Sequence, residues 1–588
     1  MARTLVHRGP DEAGFHEDDQ ASLGMRRLSI LDIETGHQPI CNEDKTVWAV
    51  CNGEIYNFET LRADLLKRGH RFVTHHSDVE TIVHLYEDHG PAFVEKLNGM
   101  FAIALWDAKT KALLLIRDRL GVKPLFYALS RGQIIFGSEI KALLDHPALK
   151  TDPCFAALYH YFTLKNIPAP LTAFQGIYSL LPGEALRYEG GRLTKTKWWT
   201  PRFGGGAHDE GYYKAEISRL LEDATRLRMR CDVPFGAYLS GGVDSSSIVA
   251  LMTRFSDRPV KTFSLGYQDQ FQHKECDLHF ARQVAKQYKT EHHEYVMSHK
   301  ELLQEIPAVI KSFDQPFSGT ISTFFLTKLI KKHVTVALSG DGADELFGSY
   351  LSHRTAGPMS RYAQLAQQGR LGPEDFLRDL YLKSGGKEPA WRYHLYLFTD
   401  EEKAKLLSPR FLGQADRTAT RELIETYFEG IHATDPLNRI LEMEFKTQFP
   451  DQVLAFADAL SMAHSVEIRS PFLDYRFVEL AASIPGDMKI RDEVVKSILK
   501  DAMRDLLPKG IAERPKEGFV LPIFDWMTHG LEDYMADILS PARLKGHGLL
   551  NQDAVTGLLS SYRAGNRTLA SRLWNLMMFQ VWWEQYFQ

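Results

Sequence analysis

Leu239-Ser240-Gly241-Gly242-Val243-Asp244-Ser245-Ser246 follows an apolar run over 234–238 and precedes Ile248-Val249-Ala250-Leu251-Met252. That order predicts a strand, a tight glycine turn and a helix. A helix start carries free backbone N–H groups and the positive end of the helix dipole, so it favours a bound anion. The glycines let the backbone approach closely, and Ser240, Ser245 and Ser246 add donors. Asp244 repels an anion unless a divalent cation lies between them. The segment therefore points to a Mg²⁺-carried polyphosphate, ATP. It is not a phosphate loop of the GxxxxGK[ST] type, which the sequence lacks here. The simpler alternative, a capped strand-to-helix turn, accounts for a bare Ser-Gly-Gly but not for the whole string.

Outward from this turn, residues 211–350 alternate strand and helix. Strands are expected over 235–239, 260–266, 292–296 and 334–338, and helices over 278–288 and 323–332. This is the pattern of a doubly wound α/β parallel sheet, whose ligands sit beyond the carboxyl ends of the strands. From about residue 360 the pattern is mostly helical, and the aromatic stretch over 574–586 reads as core packing. Residues 1 to about 190 are strand-rich, with strands expected over 24–31, 46–51, 100–107, 112–117, 125–129 and 133–138. Helices over 58–68 and 78–88 complete an α+β sandwich. Pro201 and Gly204-Gly205-Gly206 mark the best linker candidate. The expected division is 1–195, a linker over 196–211, and 212–588.

A second strand-to-helix turn lies in 334–350, VTVALSGDGADELFGSY, where Ser339-Gly340 is followed by Asp341 and Asp344. Asp244 and Asp344 could meet across one Mg²⁺, which prefers carboxylates together with phosphate oxygens. Helix capping by Asp341 and Asp344 is the ordinary alternative. It is weakened because the arrangement occurs twice.

The string SGGVDSS resembles the PP-loop of ATP pyrophosphatases, which split ATP between the α and β phosphates and adenylate a substrate. Together with SMAHSVEIRSPFLD over 461–474, Lys496 in VVKSIL and Arg514-Pro515-Lys516-Glu517-Gly518-Phe519, the two motifs resemble the glutamine-dependent asparagine synthetase family over most of the chain. The resemblance implies a nucleotide site formed by Leu239, Ser240, Gly241, Gly242, Asp244, Ser245, Ser246, Leu265, Ser339 and Gly340. It makes Asp244 and Asp344 the metal-binding acids. Asp341 stands where relatives often have Glu, at the acceptor site. Lys496 resembles the lysine that stabilises the acyl-adenylate transition state, a role that suits a cation because charge builds up there. The stretch DQPFSGTIS over 314–322 falls at the acceptor pocket of the family and departs from its DEPF-type pattern at Gln315.

The same resemblance implies an amino-terminal-nucleophile (Ntn) glutaminase domain in the first half. Arg27 corresponds to the residue holding the glutamine α-carboxylate, and Asp78 to the acid taking the amino group, both direct charge matches. Asn52 and the Gly53 amide resemble an oxyanion hole, and Glu54 a substrate-binding residue. One by one, each could be an ordinary turn or surface residue. The family nucleophile is an N-terminal cysteine whose own amino group is the base. Here residue 2 is Ala, and the HRGPD segment stands at 7–11 rather than a few dozen residues in. A misplaced start, a truncated protein and a domain that has lost hydrolysis are the three explanations. The retained Arg27, Asn52, Gly53, Glu54 and Asp78 weigh against long-standing decay. As written, the chain is expected not to hydrolyse glutamine but to be able to use free ammonia.

Composition sets the remaining bounds. The 588 residues allow two to four domains, 44% are hydrophobic and 25% charged, and the formal net charge is −5, which gives no reason to expect nucleic-acid binding. No apolar run reaches membrane-spanning length, and no secretory leader is seen. Cys41, Cys51, Cys154, Cys231 and Cys276 show no metal or disulfide spacing, so reduced thiols and a cytoplasmic enzyme are expected. His75-His76 and His292-His293 read as strand residues on opposite faces and not as metal ligands. Lys328, Lys331 and Lys332 read as a solvated helix face. Cys51 reads as a small buried residue. The expected activity is that of a carbon–nitrogen ligase converting aspartate to asparagine through β-aspartyl-AMP. Its partners are aspartate, ATP, and glutamine or ammonia, with neither membrane nor nucleic acid, and a homodimer is allowed. The rival readings are the same chemistry on a peptide, sugar-acid or β-lactam-precursor carboxylate, and a nucleotide-binding protein without catalysis.

Overall fold

The structure, a computed structural model, describes residues 1–268, 276–370, 375–415, 419–514 and 521–588. In the first half, a six-stranded antiparallel sheet runs in the order Arg192–Lys197, Glu184–Glu189, Ala112–Arg117, Gly99–Asp107, Val47–Ile55, Ile40–Cys41. Its central strands are apolar on both faces, and side-chain alternation sends them into two separate cores. Ala49, Cys51, Ile103, Leu105, Leu114 and Ile116 face the helices Phe58–Lys67 and Glu80–His89. Val50, Ala102, Ala104, Trp106, Leu113 and Leu115 face Leu125, Tyr127 and Leu180 of the opposite layer. That layer is a three-stranded sheet ordered Gln133–Gly137, Phe126–Ser130, Ile177–Ser179. This is the expected α+β sandwich.

Two strand boundaries differ from expectation. The strand expected over 46–51 continues to Ile55, because it pairs residue for residue with Gly99–Asp107; Asn52-Gly53-Glu54 therefore lies inside a strand. The strand expected over 24–31 is Ser22–Arg27. It ends there because the Arg27 guanidinium donates to the carbonyls of Leu31 and Asp32 at 2.9 and 2.8 Å, curling the following residues into a turn.

The second half is built on five parallel strands in the order Glu291–Met297, Lys261–Tyr267, Phe235–Tyr238, Val336–Leu338, Glu467–Arg469. The first strand in sequence is central. The chain winds outward on one side of it, then returns to its other side. The reversal falls between Phe235–Tyr238 and Val336–Leu338, so both Ser-Gly turns sit at the switch point where such sheets bind ligands. The fifth strand, three residues within the 461–474 motif, was not expected.

The stretch between the halves is irregular but docked. Gly204 and Gly206 donate backbone bonds to Ala482 and Ser483 at 2.8 and 3.2 Å, and Phe203 is buried against Phe445. The closing helix, Ala570–Phe587, buries Trp574, Phe579, Trp582 and Trp583 in the larger core, as core aromatics should be. Cys51 is likewise buried in the helix-facing core. Among the described residues, no helix is long and apolar enough to cross a membrane.

Candidate functional site

At the switch point, Gly241 turns with φ +71°, and a Cβ there would lie 2.5 Å from the Ala281 nitrogen. Only glycine fits. Helix Val243–Phe255 starts immediately after Gly242. The second turn presses against the first: a Cβ on Gly340 would lie 2.8 Å from Asp244 Cβ and 3.0 Å from the Ser245 nitrogen. The two bends are therefore side by side, in contact at a glycine.

Their acids converge. Lys496 Nζ lies 2.6 Å from Asp244 Oδ2 and pairs also with Asp344 Oδ1. Burial works against the Lys496 ammonium, yet Asp244 and Asp344 outweigh it and hold its pKa above the ordinary value. Lys496 has φ +56° at the start of the Ser497–Met503 helix, a conformation rare outside glycine and often found at functional positions. Asp244 Oδ1 is buried without a hydrogen-bond partner. Two carboxylates converging on one cation, with a spare buried oxygen, form a donor set that fits Mg²⁺.

A cavity of about 170 Å³ opens here. Leu239, Ser240, Gly242, Asp244, Ser245, Ser339, Gly340, Asp341, Asp344 and Lys496 all line it. Its size suits the reacting end of a nucleotide rather than the whole. Three expected contacts do not line it. Leu265 is buried in the core, Gly241 faces Phe280 and Ala281, and Ser246 is fully buried inside the helix. Asp341 is turned inward, its Oδ2 accepting from the Ser339 hydroxyl at 2.8 Å. Arg514 donates to the Ser240 carbonyl at 3.1 Å and lies over Phe280, while residues 515–519 of its motif fall outside the described residues.

The sequence reading missed Glu345, Tyr350 and Lys500 in this wall. Tyr350 donates to Glu345 Oε1 at 2.5 Å. Burial, then the Asp344 charge, pushes the Glu345 carboxyl up to about 8. Burial and neighbouring Lys496 lower the Lys500 pKa. Glu345 was in view, one residue after Asp344, but only the fold turns it inward. Gln315, by contrast, is spent on structure: its Oε1 accepts the Ala173 N–H at 2.9 Å, away from the cavity.

The first half contains a larger cavity, about 1210 Å³, whose wall includes Arg27, Asn52, Gly53, Glu54 and Asp78 together. Arg27 is locked by the two carbonyls and by Glu12 at 3.3 Å. Gly53 has φ +137°, and a Cβ would meet the Met100 carbonyl oxygen at 1.9 Å. Asp78 accepts the Ile55 N–H at 2.7 Å, and burial pushes its carboxyl up to about 6. Glu54, in the same wall, has a second engagement. Its Oε1 lies 2.9 Å from Arg469 Nη2 of the second half, so its charge is engaged between the halves.

That contact belongs to a buried chain. Arg469 also pairs with Glu467 at 2.8 Å and donates to the Arg230 carbonyl at 2.7 Å, and its own carbonyl accepts the Ser339 N–H at 3.0 Å. Lys123 reaches Glu467 at 3.5 Å and Asp458 at 3.2 Å. Arg8 reaches Asp458 at 2.8 Å. One residue, Arg469, thus touches the wall of one cavity through its side chain and the second Ser-Gly turn through its backbone.

A sandwich with a large polar-lined cavity, joined to a doubly wound sheet with paired Ser-Gly turns, fits the class of nucleotide-dependent amidotransferases. The asparagine synthase family profile matches residues 216–584, and a glutamine amidotransferase domain profile matches residues 1–199. Asparagine synthetase [glutamine-hydrolyzing] 1 of Bacillus subtilis is 32% identical over 99% of this chain and 92% of that protein. A putative asparagine synthetase [glutamine-hydrolyzing] of Mycobacterium tuberculosis is 34% identical over 98% of this chain and 92% of that protein. Asparagine synthetase [glutamine-hydrolyzing] 3 of Bacillus subtilis is 30% identical over 95% and 90%. The chain belongs to the asparagine synthase family.

Proposed function

We propose that the protein is a ligase that makes asparagine from aspartate, ATP and an amide nitrogen, taken from glutamine or as ammonia. The carrying observation is the convergence of Asp244 and Asp344, from two touching Ser-Gly turns, on Lys496 Nζ. A carboxylate is a poor electrophile. The aspartate side-chain carboxylate attacks the ATP α-phosphorus, pyrophosphate leaves, and ammonia attacks the β-aspartyl-AMP carbonyl to release AMP. The hydroxyls of Ser240 and Ser245 and the N–H groups of Gly242 and Gly340 orient the phosphates, while Ser339, bonded to Arg469 and Asp341, fixes the second turn. Lys496 places a fixed positive charge where negative charge grows on the transferring groups. Asp244 and Asp344 hold Lys496 in place and are the residues that would hold Mg²⁺. That ion, when bound, neutralises the departing pyrophosphate.

In the first half, Arg27 and Asp78 pair with the α-carboxylate and ammonium of glutamine, and Asn52 with the Gly53 amide faces its side-chain carbonyl. We place the domain division at 1–195 and 212–588 around the 196–211 stretch. The end of the last sandwich strand at Lys197 and the start of the next helix at Glu210 support it. The free thiols of Cys41, Cys51, Cys154 and Cys231 support a cytoplasmic setting.

The test is incubation of the 588-residue protein with aspartate, ATP, Mg²⁺ and ammonium. Equal amounts of AMP and asparagine are expected. AMP without asparagine, or neither product, rejects the reading.

A further inference from the structure

Outside both sites, four side chains of the first half converge. Glu43 lies between the strands Ile40–Cys41 and Val47–Ile55. His70 follows the Phe58–Lys67 helix, and His84 and Glu87 stand one turn apart on the Glu80–His89 helix. His84 Nδ1 is 3.4 Å from Glu43 Oε2 and 3.3 Å from Glu87 Oε2. His70 Nδ1 is 3.7 Å from Glu43 Oε1 and 3.7 Å from Glu87 Oε2. A tetrahedron with zinc–ligand bonds of about 2.0–2.1 Å has edges of about 3.3–3.4 Å. The two Glu43 contacts use different carboxylate oxygens; with one ligand atom from each residue all four lie within 4.8 Å of one another, so the side chains must draw in around an ion to reach those edges.

The surroundings orient each of the four groups. His70 Nε2 is 3.1 Å from Asp88 Oδ1, and His84 Nε2 is 3.6 Å from Glu80 Oε1. Glu80 is itself held by the N–H groups of Val73 and Thr74 at 2.7 and 2.9 Å. Glu43 Oε1 accepts the Arg71 N–H at 2.8 Å, and Glu87 Oε1 accepts from Asn42 Nδ2 at 2.8 Å. Each imidazole turns Nδ1 toward the glutamates; His70 has a hydrogen-bonded carboxylate behind its other nitrogen, the arrangement that orients metal-bound histidine, whereas Glu80 stands just beyond hydrogen-bond distance of His84 Nε2. Four carboxylates, Glu43, Glu80, Glu87 and Asp88, surround two imidazoles, of which His84 is fully buried. Arg68 reaches this group only at Asp88, at 3.5 Å. Two protonated imidazoles offset part of that charge; a dication between neutral imidazoles offsets it where the carboxylates meet.

We propose that Glu43, His70, His84 and Glu87 form a structural Zn²⁺ site. Two imidazole donors favour zinc over Mg²⁺ or Ca²⁺. Four protein ligands leave no open position, so the ion is structural and not catalytic. It ties the 42–46 turn and the segment after the first helix to the helix that begins two residues after Asp78. The site is independent of the proposed synthetase reaction, so either reading can fail without the other.

The full chain, stripped with a chelator, is loaded with Zn²⁺ alone or Co²⁺ alone in excess Mg²⁺, which occupies oxygen-only sites. Wild type is expected to retain one Zn²⁺ per chain through gel filtration and to unfold at higher temperature with Zn²⁺. Its Co²⁺ form is expected to show the intense visible bands of four-coordination. His70→Asn and Glu43→Gln, at the solvent side of the cluster, are expected to lose all three signals while their metal-free unfolding temperature matches that of metal-free wild type. Asp88→Asn is expected to weaken Zn²⁺ binding by about 10–100-fold. Wild type that retains no Zn²⁺, a pale six-coordinate Co²⁺ spectrum, or undiminished Zn²⁺ affinity in a Glu43→Gln, His70→Asn double variant overturns the proposal.

Discussion

Lys496 shows how one side chain takes its meaning from its neighbours. In VVKSIL it is an ordinary lysine; in the fold it is buried and bound by two aspartates from turns separated by a hundred residues of chain. Its charge is secured by those acids against the cost of burial. Lys496→Met removes the cation and leaves two facing carboxylates. We expect AMP formation to fall by about 10²–10³-fold, the usual effect of deleting a preorganised transition-state charge. The assay is AMP release with saturating aspartate and ammonium. Activity within a few-fold of wild type would remove Lys496 from the mechanism. Asp341, also expected in a catalytic role, is held by the Ser339 hydroxyl. Glu345 is the acid on this wall whose proton is retained near neutral pH.

At the scale of elements, the connecting stretch is the surprise. Glycine and proline in sequence suggest looseness, but Phe203 lies against Lys489, whose Nζ donates to Asn438 Oδ1 at 2.7 Å. Burial lowers the Lys489 pKa to about 7 from 10.5. The unfolded chain therefore holds more protons than the folded one between pH 7 and 10.5, so this group makes stability rise with pH across that window. Below pH 7 its contribution is unfavourable and constant. Lys489→Met should remove the slope, up to about 1.4 kcal/mol per pH unit for one proton, and stabilise the protein most at and below pH 7, with the gain fading toward pH 10.5. Urea unfolding of both proteins at several pH values measures it. Parallel pH profiles for wild type and variant would show that Lys489 stays protonated when buried.

Across the whole molecule, the two halves are joined by buried charge rather than by the linker alone. Arg469 holds Glu54 from the first half and Glu467 from its own strand, with no exposed surface. Removing one partner of such a group strands the other's charge in a dry interior, at a cost of about 3–5 kcal/mol. Arg469→Leu should lower the urea midpoint accordingly, and adding Glu54→Gln should recover part of the loss. A double-mutant cycle measures the coupling, and strictly additive losses would mean that the pair carries no joint stability.

Local pattern was enough to read the two fold classes, the strand-turn-helix at 239–246, its repeat at 339–344 and most central strands. Each rests on spacing between neighbours: period two in the sandwich, glycine before a helix start, strand alternating with helix. Relations between distant segments lay beyond that reading. The three-residue strand Glu467–Arg469 pairs with a strand well over a hundred residues earlier, and nothing local marks so short an edge. The pairing of Glu54 with Arg469 could not be read locally, because Arg469 is in the other half. The histidine–glutamate cluster draws on three elements, with only the His84–Glu87 spacing visible in sequence. Side-chain period and backbone freedom are properties of a few consecutive residues. The partner of a buried charge, and the wall a carboxylate faces, are set only when the cores close around them.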